Sequence, residues 1–162
     1  MSDHLFDVIP VITLWQPWAQ WVALGWKPIE TRTHGKFASL AGKRIGIHVG
    51  QKWDPWALHF AQHFLNKQRI MDTHNREGTF HALAGAPGCI IATAFVKEHR
   101  RLTQADEKNS LIECRSQQRW GLVLTDLIVT PFTKAPGKQG IWYHKRPDTL
   151  QMNDRWSKSE GW

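Results

Sequence analysis

The sequence has few cysteines and no long hydrophobic run. Its two cysteines, Cys89 and Cys114, form no CxxC pair, so we expect free thiols and neither a zinc ribbon nor a disulfide framework. The longest apolar run, around residues 88–96, is about half of what spanning a bilayer requires. The first residues, MSDHLFDV, contain no basic residue before an apolar stretch, which does not fit a secretion signal. These features predict a cytoplasmic protein that does not associate with membranes.

The motifs of several enzyme classes are also absent. There is no G-x-S-x-G elbow, no G-x-x-x-x-G-K-[ST] phosphate loop and no dinucleotide fingerprint. Their absence argues against serine hydrolases, nucleoside triphosphatases and dehydrogenases. His59 and His63 have the i, i+4 spacing of a zinc pair, but no H-E-x-x-H glutamate or third ligand accompanies them. The sequence therefore predicts no metal and no cofactor.

Acidic residues are scarce, with 14 Asp and Glu against 21 Lys and Arg, a net charge of +7. The imbalance is concentrated in two segments. Residues 27–52 contain one acid, Glu30, and these bases: Lys27, Arg32, Lys36, Lys43, Arg44 and Lys52. No acid lies between Asp126 and Asp148, where four lysines and arginines occur. If the two segments fold together, their summed field attracts nucleic acid; the alternative is merely a basic surface.

Tryptophan is abundant, with ten residues against one tyrosine. Residues 12–34 hold four of them: Trp15, Trp18, Trp21 and Trp26. Large indole faces beside cationic side chains suit the stacking of a planar base next to a bound phosphate. We predict that Trp15 and Trp18 stack on a base and that the amide of Gln16 hydrogen-bonds the base edge. The alternative is that these tryptophans only fill the core.

Hydrophobic periodicity predicts an α+β fold. Strands are expected at residues 11–14, 27–33, 43–49, 89–96 and 120–130, with a last strand within 137–144. Helices are expected from Pro17 to Gly25, at 57–69 and, more weakly, at 73–83, while 103–118 reads as a mobile loop or short helix. We predict a small, partly closed β-barrel of five or six strands with two or three helices on its rim. Residues 1–147 are expected to form a single domain and residues 148–162 a polar tail.

Two local patterns within the strands make finer predictions. Alternation in residues 43–49 puts Ile45, Ile47 and Val49 inward, and Arg44, Gly46 and His48 outward. The strand at 120–130 is apolar except around Asp126, where we expect a bend.

Lys27, Glu30 and Arg32 form the first candidate catalytic group. A lysine beside a carboxylate acts as a proton donor or, when burial lowers its pKa, as a base. Arginine holds a phosphate through two parallel hydrogen bonds, which favours ligand contact for Arg32. The alternative is that Glu30 and Arg32 pair only to fix the strand.

Lys52 follows a strand end, a position from which binding groups are often presented. Metal-free RNA cleavage needs positive charge on the phosphate, which Lys52 supplies, and proton transfer, for which Lys27, Glu30 and His48 are candidates. Lys138, in a glycine turn, is expected to contact the nucleic-acid backbone. Phosphate binding without catalysis explains the same residues.

The order of these motifs resembles the ASCH domain family, whose fold is related to the PUA domain of RNA-modification proteins. The resemblance rests on LWQPWA (14–19), GWKPIETR (25–32), IHVGQK (47–52), WGLVL (120–124) and the glycine turn before IWY (140–143). It covers most of residues 11–144. The resemblance implies a PUA-like β-barrel with a cleft that faces the first helix and takes RNA or a modified nucleoside.

Two activities are implied by the resemblance. One group of relatives resembles ribonucleases that rely on a lysine falling here on or near Lys52. Another group is amidohydrolases of acetylated cytidine, which use a lysine matching Lys27 and a threonine three positions on. Glu30 stands at that position here, a departure that removes the nucleophile.

Three hypotheses follow. The first is an RNA-binding protein that recognises single-stranded RNA or a modified nucleoside in a basic, tryptophan-lined cleft, with metal-independent ribonuclease activity as its enzymatic form. The second is a nucleoside amidohydrolase acting on acetylated cytidine. The third is a non-catalytic module for interaction with RNA or protein. The first requires that the indoles and the cations of Lys27, Arg32 and Lys52 converge on one hollow.

Overall fold

A six-stranded sheet forms the centre of the computed structural model, which describes residues 7–74 and 86–148. Its strands are β1 (Val8–Gln16), β2 (Ile29–Arg32), β3 (Arg44–Trp53), β4 (Cys89–Arg101), β5 (Trp120–Lys134) and β6 (Trp142–Lys145). The strand order is β2-β5-β4-β3-β1-β6; β1 and β3 are parallel and the other pairs antiparallel. The sheet curls into a half-barrel, which confirms the predicted α+β class and partial closure.

Four short α-helices accompany the sheet within the described ranges: α1 (Trp18–Ala23), α2 (Ala57–Ala61), α3 (Lys67–His74) and α4 (Glu107–Ser110). The single helix predicted at residues 57–69 is therefore wrong, because the chain leaves helical geometry between α2 and α3. The helix predicted at 73–83 starts inside α3, and its remainder lies outside the described residues. The predicted tail lies outside them from residue 149 onward.

Apolar side chains are buried on both faces of the sheet. The larger cluster includes Ile12, Ile45, Ile47 and Leu122 and packs against Val22 of α1. A smaller cluster, made of residues on β1, β4 and β6 and of the residue after β5, consists of Ile9, Val11, Ile90, Ala135 and Trp142. The segment leading into β6 covers this second face. The outward position predicted for His48 is consequently wrong, since only 2% of that residue is exposed.

The bend predicted at Asp126 is confirmed. Asp126 has a positive φ of 48°, and the pairing register of β4 and β5 shifts there, between Thr93 and Phe95. Arg44 reaches across from β3, donating hydrogen bonds to the carboxylate and, at 3.1 Å, to the backbone carbonyl of Asp126. An irregular backbone is thus held by a cationic side chain of a neighbouring strand.

Both cysteines are free thiols, as predicted, with Cys114 buried and Cys89 half-buried. Burial raises the pKa of the Cys114 thiol, which keeps it protonated at neutral pH. None of the helices within residues 7–74 and 86–148 has the length and apolar character needed to cross a bilayer.

Candidate functional site

Two adjoining hollows open beside the end of β1. The smaller, of about 420 Å³, is lined by Leu14, Trp18, Lys27, Glu30, Thr31, Asp54, Phe60, Ile112, Gln117 and Arg119. The larger, of about 760 Å³, is lined by His34, Lys36, Phe37, His48, Gly50, Gln51, Lys52, Pro136, Gly137, Lys138, Gln139 and Gly140. Thr13, Trp15 and Arg32 line both hollows and form their common wall.

The predicted site residues divide between the two hollows. Trp18, Lys27 and Glu30 line the smaller one. His48, Lys52 and Lys138 line the larger one, and Trp15 and Arg32 belong to both. The single hollow expected around Lys27, Arg32 and Lys52 is therefore wrong in detail, because the common wall separates Lys27 from Lys52.

Trp15 stands at the junction with 48% of its surface exposed. Side chains alternate along β1, so Thr13 and Trp15 have exposed surface in both hollows, while Leu14, which borders only the smaller one, and Gln16 are buried. The Lys52 ammonium lies 5.2 Å from the Trp15 ring centroid, within cation–π range. Gly50 lies against this wall, since a Cβ there would lie 3.3 Å from Thr13 Cγ2 and 3.4 Å from the Trp15 indole. An exposed aromatic face beside a cation is thus presented to both hollows.

Lys27 lies at the floor of the smaller hollow and is only 1% exposed. Its Nζ donates hydrogen bonds to Thr31 Oγ1 at 3.0 Å and to the Ser110 carbonyl at 2.5 Å, and lies 5.0 Å from the Trp18 ring centroid. Burial lowers the pKa of Lys27 from 10.5 to about 8, against the opposing effect of the Glu30 carboxylate. The amine therefore titrates close to neutral pH, as required of a side chain that both holds and accepts protons.

Sequence reasoning missed Thr31 as a site residue, and also the segment that closes the smaller hollow. Thr31 lies four residues after Lys27. In an extended chain, residues i and i+4 point to the same face, which could have suggested that these two side chains lie close together. The segment around Ser110 was predicted only as a loop or short helix. It has no hydrophobic periodicity, so nothing in the sequence indicated that α4 would pack over Lys27.

Glu30 and Arg32 form an ion pair, with 3.6 Å between Glu30 Oε1 and Arg32 Nε. Among the described residues, Glu30 Oε2 and Arg32 Nε have no hydrogen-bond partner. The Arg32 guanidinium also lies 4.9 Å from the Phe37 ring centroid. Arg32 is thus oriented by a carboxylate on one side and an aromatic ring on the other, a common way to hold a guanidinium ready for an anion.

His48 is buried with both ring nitrogens engaged. Because the Ala135 carbonyl only accepts, Nε2 must donate to it, at 3.0 Å. Nδ1 lies 3.1 Å from Thr13 Oγ1, which itself accepts a hydrogen bond from Trp142 Nε1 at 3.1 Å. The hydroxyl proton of Thr13 is therefore available to Nδ1 of a neutral imidazole. Burial lowers the pKa of His48, in agreement with that form.

The same histidine supports the turn that carries Lys138. Gly137 has a φ of +71°, and a Cβ at that position would lie 2.5 Å from His48 Cε1. The turn therefore rests directly on the imidazole, and only glycine fits there. His48 positions the wall of the larger hollow, while Lys138 itself is exposed.

Gln16 lies apart from the other predicted residues. It is buried, its Oε1 accepts the backbone N–H of Gln20 at 3.0 Å, and it lines neither hollow. The contact predicted with a base edge does not fit this position, because the amide oxygen is occupied in the first turn of α1.

No family model and no curated protein matches this sequence. Among solved structures, the chain is similar to ASCH from Zymomonas mobilis, with 11% identity, a TM-score of 0.49 and coverage of 94% of each chain. A serine-to-alanine variant of that protein gives 12% identity, a TM-score of 0.48 and coverage of 93% of this chain and 94% of that one. A tyrosine-to-phenylalanine variant gives 11% identity, a TM-score of 0.48 and coverage of 94% of this chain and 96% of that one. All three are structures of the same ASCH protein.

Proposed function

We propose that this chain is a cytoplasmic protein that binds single-stranded RNA or a modified nucleoside in the two adjoining hollows. Trp15 stacks on a base, and Arg32 and Lys52 contact phosphate. The observation that carries the proposal is the exposed indole of Trp15 on the wall common to both hollows, with the Lys52 ammonium 5.2 Å from its ring centroid. Stacking on an exposed aromatic ring contributes about 1–3 kcal/mol per base and tolerates different sequences.

Trp15→Ala is expected to weaken binding of a short single-stranded RNA by roughly fivefold to a hundredfold, because the stacking surface is lost. Fluorescence anisotropy of a labelled oligonucleotide measures this change. Trp56→Ala is the matched control, since Trp56 is 63% exposed and lines neither hollow. Equal loss of affinity in both variants, or none in Trp15→Ala, would contradict the proposal.

The ribonuclease form of the proposal differs only in the fate of the bound RNA. Lys52 would hold the phosphate while Lys27, Glu30 or His48 transfers protons. His48 is the candidate that lines the same hollow as Lys52. Mass analysis of the incubated RNA, with a chelator present, distinguishes a nuclease from a protein that only binds.

A second candidate, hydrolysis of an acylated nucleoside, is favoured by one observation: the 3.0 Å separation of Lys27 Nζ and Thr31 Oγ1. A threonine hydroxyl beside an amine of lowered pKa is a nucleophile next to its base. Neutral Lys27 would take the hydroxyl proton while Oγ1 attacks the acetyl carbonyl of acetylcytidine. Lys27 would then return the proton to the leaving N4 amine, and water would release acetate from Thr31. In this scheme Thr31 is the nucleophile. The related amidohydrolases use a threonine at the position that Glu30 occupies here.

Thr31→Val is expected to lower acetate release from acetylcytidine by about 10²-fold or more, because valine has a similar shape but no nucleophile. Thr33→Val is the control, since Thr33 is exposed and lines neither hollow. Release in the unsubstituted protein should rise with pH and level off above about pH 8, where Lys27 is neutral. Unchanged release in Thr31→Val would rule out this mechanism.

A further inference from the structure

The two hollows differ in charge. The larger hollow is lined by four cations, Arg32, Lys36, Lys52 and Lys138, and no aspartate or glutamate is among its described lining residues. In the smaller hollow, three cations face two carboxylates, those of Glu30 and Asp54. Within the part of the chain that the structure describes, Lys36, Lys52 and Lys138 form no salt bridge. Within residues 7–74 and 86–148, no carboxylate neutralises their charge, which is available to an anion.

The hollows also differ in their neutral surface. Trp15, Trp18, Phe60 and Ile112 give the smaller one planar and apolar walls. The larger one shares Trp15 and also contains Phe37, but most of its lining is polar or cationic, and at Gly140 a Cβ would meet nothing within 4 Å. A planar, uncharged ring fits the first environment, whereas a chain of negative charges fits the second.

We propose, building on the proposed function, that the ligand is a single strand of at least two linked nucleotides. One base lies in the smaller hollow, and the phosphodiester with the next nucleotide lies in the larger one. Thr13, Trp15 and Arg32 belong to both hollows, so a linked ligand passes from one to the other without leaving the protein surface. Arg32 is placed to contact the phosphate at the crossing. A free nucleoside is only a fragment of this ligand.

The test compares binding of cytidine, its 3′- and 5′-monophosphates and a tetranucleotide RNA by calorimetry. Affinity is expected to rise by about tenfold or more from the nucleoside to the tetranucleotide. The plot of log affinity against log salt should have a slope of about −0.7 for each phosphate contacted. The double variant Lys36→Gln/Lys138→Gln should reduce the magnitude of that slope. It should also weaken binding of the tetranucleotide more than binding of the nucleoside. Lys97→Gln is the control, because Lys97 is exposed and lines neither hollow.

The outcomes separate this inference from the proposed function. Equal affinity for cytidine and the tetranucleotide, without a salt slope, overturns the two-nucleotide ligand and leaves nucleoside binding intact. Tripolyphosphate binding as tightly as the tetranucleotide also overturns it, since the larger hollow would then be a general anion site. Absence of binding by every probe overturns both.

Discussion

Lys27→Met is expected to stabilise the protein near neutral pH while abolishing the acetate release proposed for Lys27 and Thr31. The lowered pKa of Lys27, about 8 in place of 10.5, means that burial penalises the ammonium form in the folded state. That difference corresponds to roughly 3 kcal/mol. Methionine fills the same space with an unbranched apolar chain. Losing the hydrogen bond to the buried Ser110 carbonyl costs about 1–3 kcal/mol, whereas the half-buried Thr31 hydroxyl lines the hollow and remains open to water, which leaves a small net gain.

The pH dependence of this gain has a definite sign. Between the folded pKa near 8 and the unfolded pKa near 10.5, the unfolded chain binds more protons at position 27 than the folded one. The stability of the unsubstituted protein therefore rises with pH across that window, a rise that Lys27→Met lacks. Urea denaturation at about pH 7 and about pH 10 should show the advantage of the variant shrinking as pH increases. Lys97→Met, at an exposed position, controls for the loss of one charge.

Whereas Lys27→Met is expected to raise stability, it should lower the rate of acetate release. Removing a general base lowers the rate by about 10²–10⁴-fold, so acetate release by Lys27→Met should be lost if Thr31 is the nucleophile. A residue whose removal stabilises the fold and abolishes activity is one that the protein retains for function. A variant that is destabilised at both pH values would mean that Lys27 mainly holds α4 through Ser110.

The strands could largely be predicted from the sequence, but their lengths could not. Alternating β-branched residues mark β3, and the apolar run at residues 89–96 marks the buried part of β4. β4 nevertheless continues to Arg101, through a polar stretch that only its pairing with β5 explains. Backbone hydrogen bonds to a neighbouring strand extend a strand wherever the partner continues, whatever the side chains. The alternation of apolar and polar residues within one strand does not indicate how far the neighbouring strand extends.

The grouping of candidate residues in one hollow could be predicted where those residues are neighbours in sequence. Lys27, Glu30 and Trp18 line one hollow because the chain turns directly from α1 into β2. The predictions that were wrong concern residues covered by segments distant in sequence. His48 was expected to face outward, yet the segment containing Ala135 covers it. Which segment covers a given strand face is a property of the packed fold, and no local pattern records it.

Thr13→Val is expected to destabilise the protein by roughly 2–6 kcal/mol, because it removes one hydroxyl that serves two buried groups. Thr13 Oγ1 accepts from Trp142 Nε1 and lies 3.1 Å from His48 Nδ1. Valine has nearly the same shape, so packing is preserved while the indole N–H and the imidazole nitrogen lose their partner. Each buried polar group left unpaired costs about 1–3 kcal/mol. Urea denaturation measures the change.

The same substitution should also weaken oligonucleotide binding, since His48 supports the turn at Gly137 that carries Lys138. Thr13→Ser keeps the hydroxyl and is expected to restore most of the stability and the affinity. Thr125→Val is the control, because Thr125 is exposed and, among the described residues, its hydroxyl makes only a long hydrogen bond of 3.5 Å to the Phe95 carbonyl. If Thr13→Ser were as unstable as Thr13→Val, the methyl group rather than the hydroxyl would hold β1 against β6. The wall common to both hollows would then be fixed by packing alone, and the imidazole would have no part in setting it.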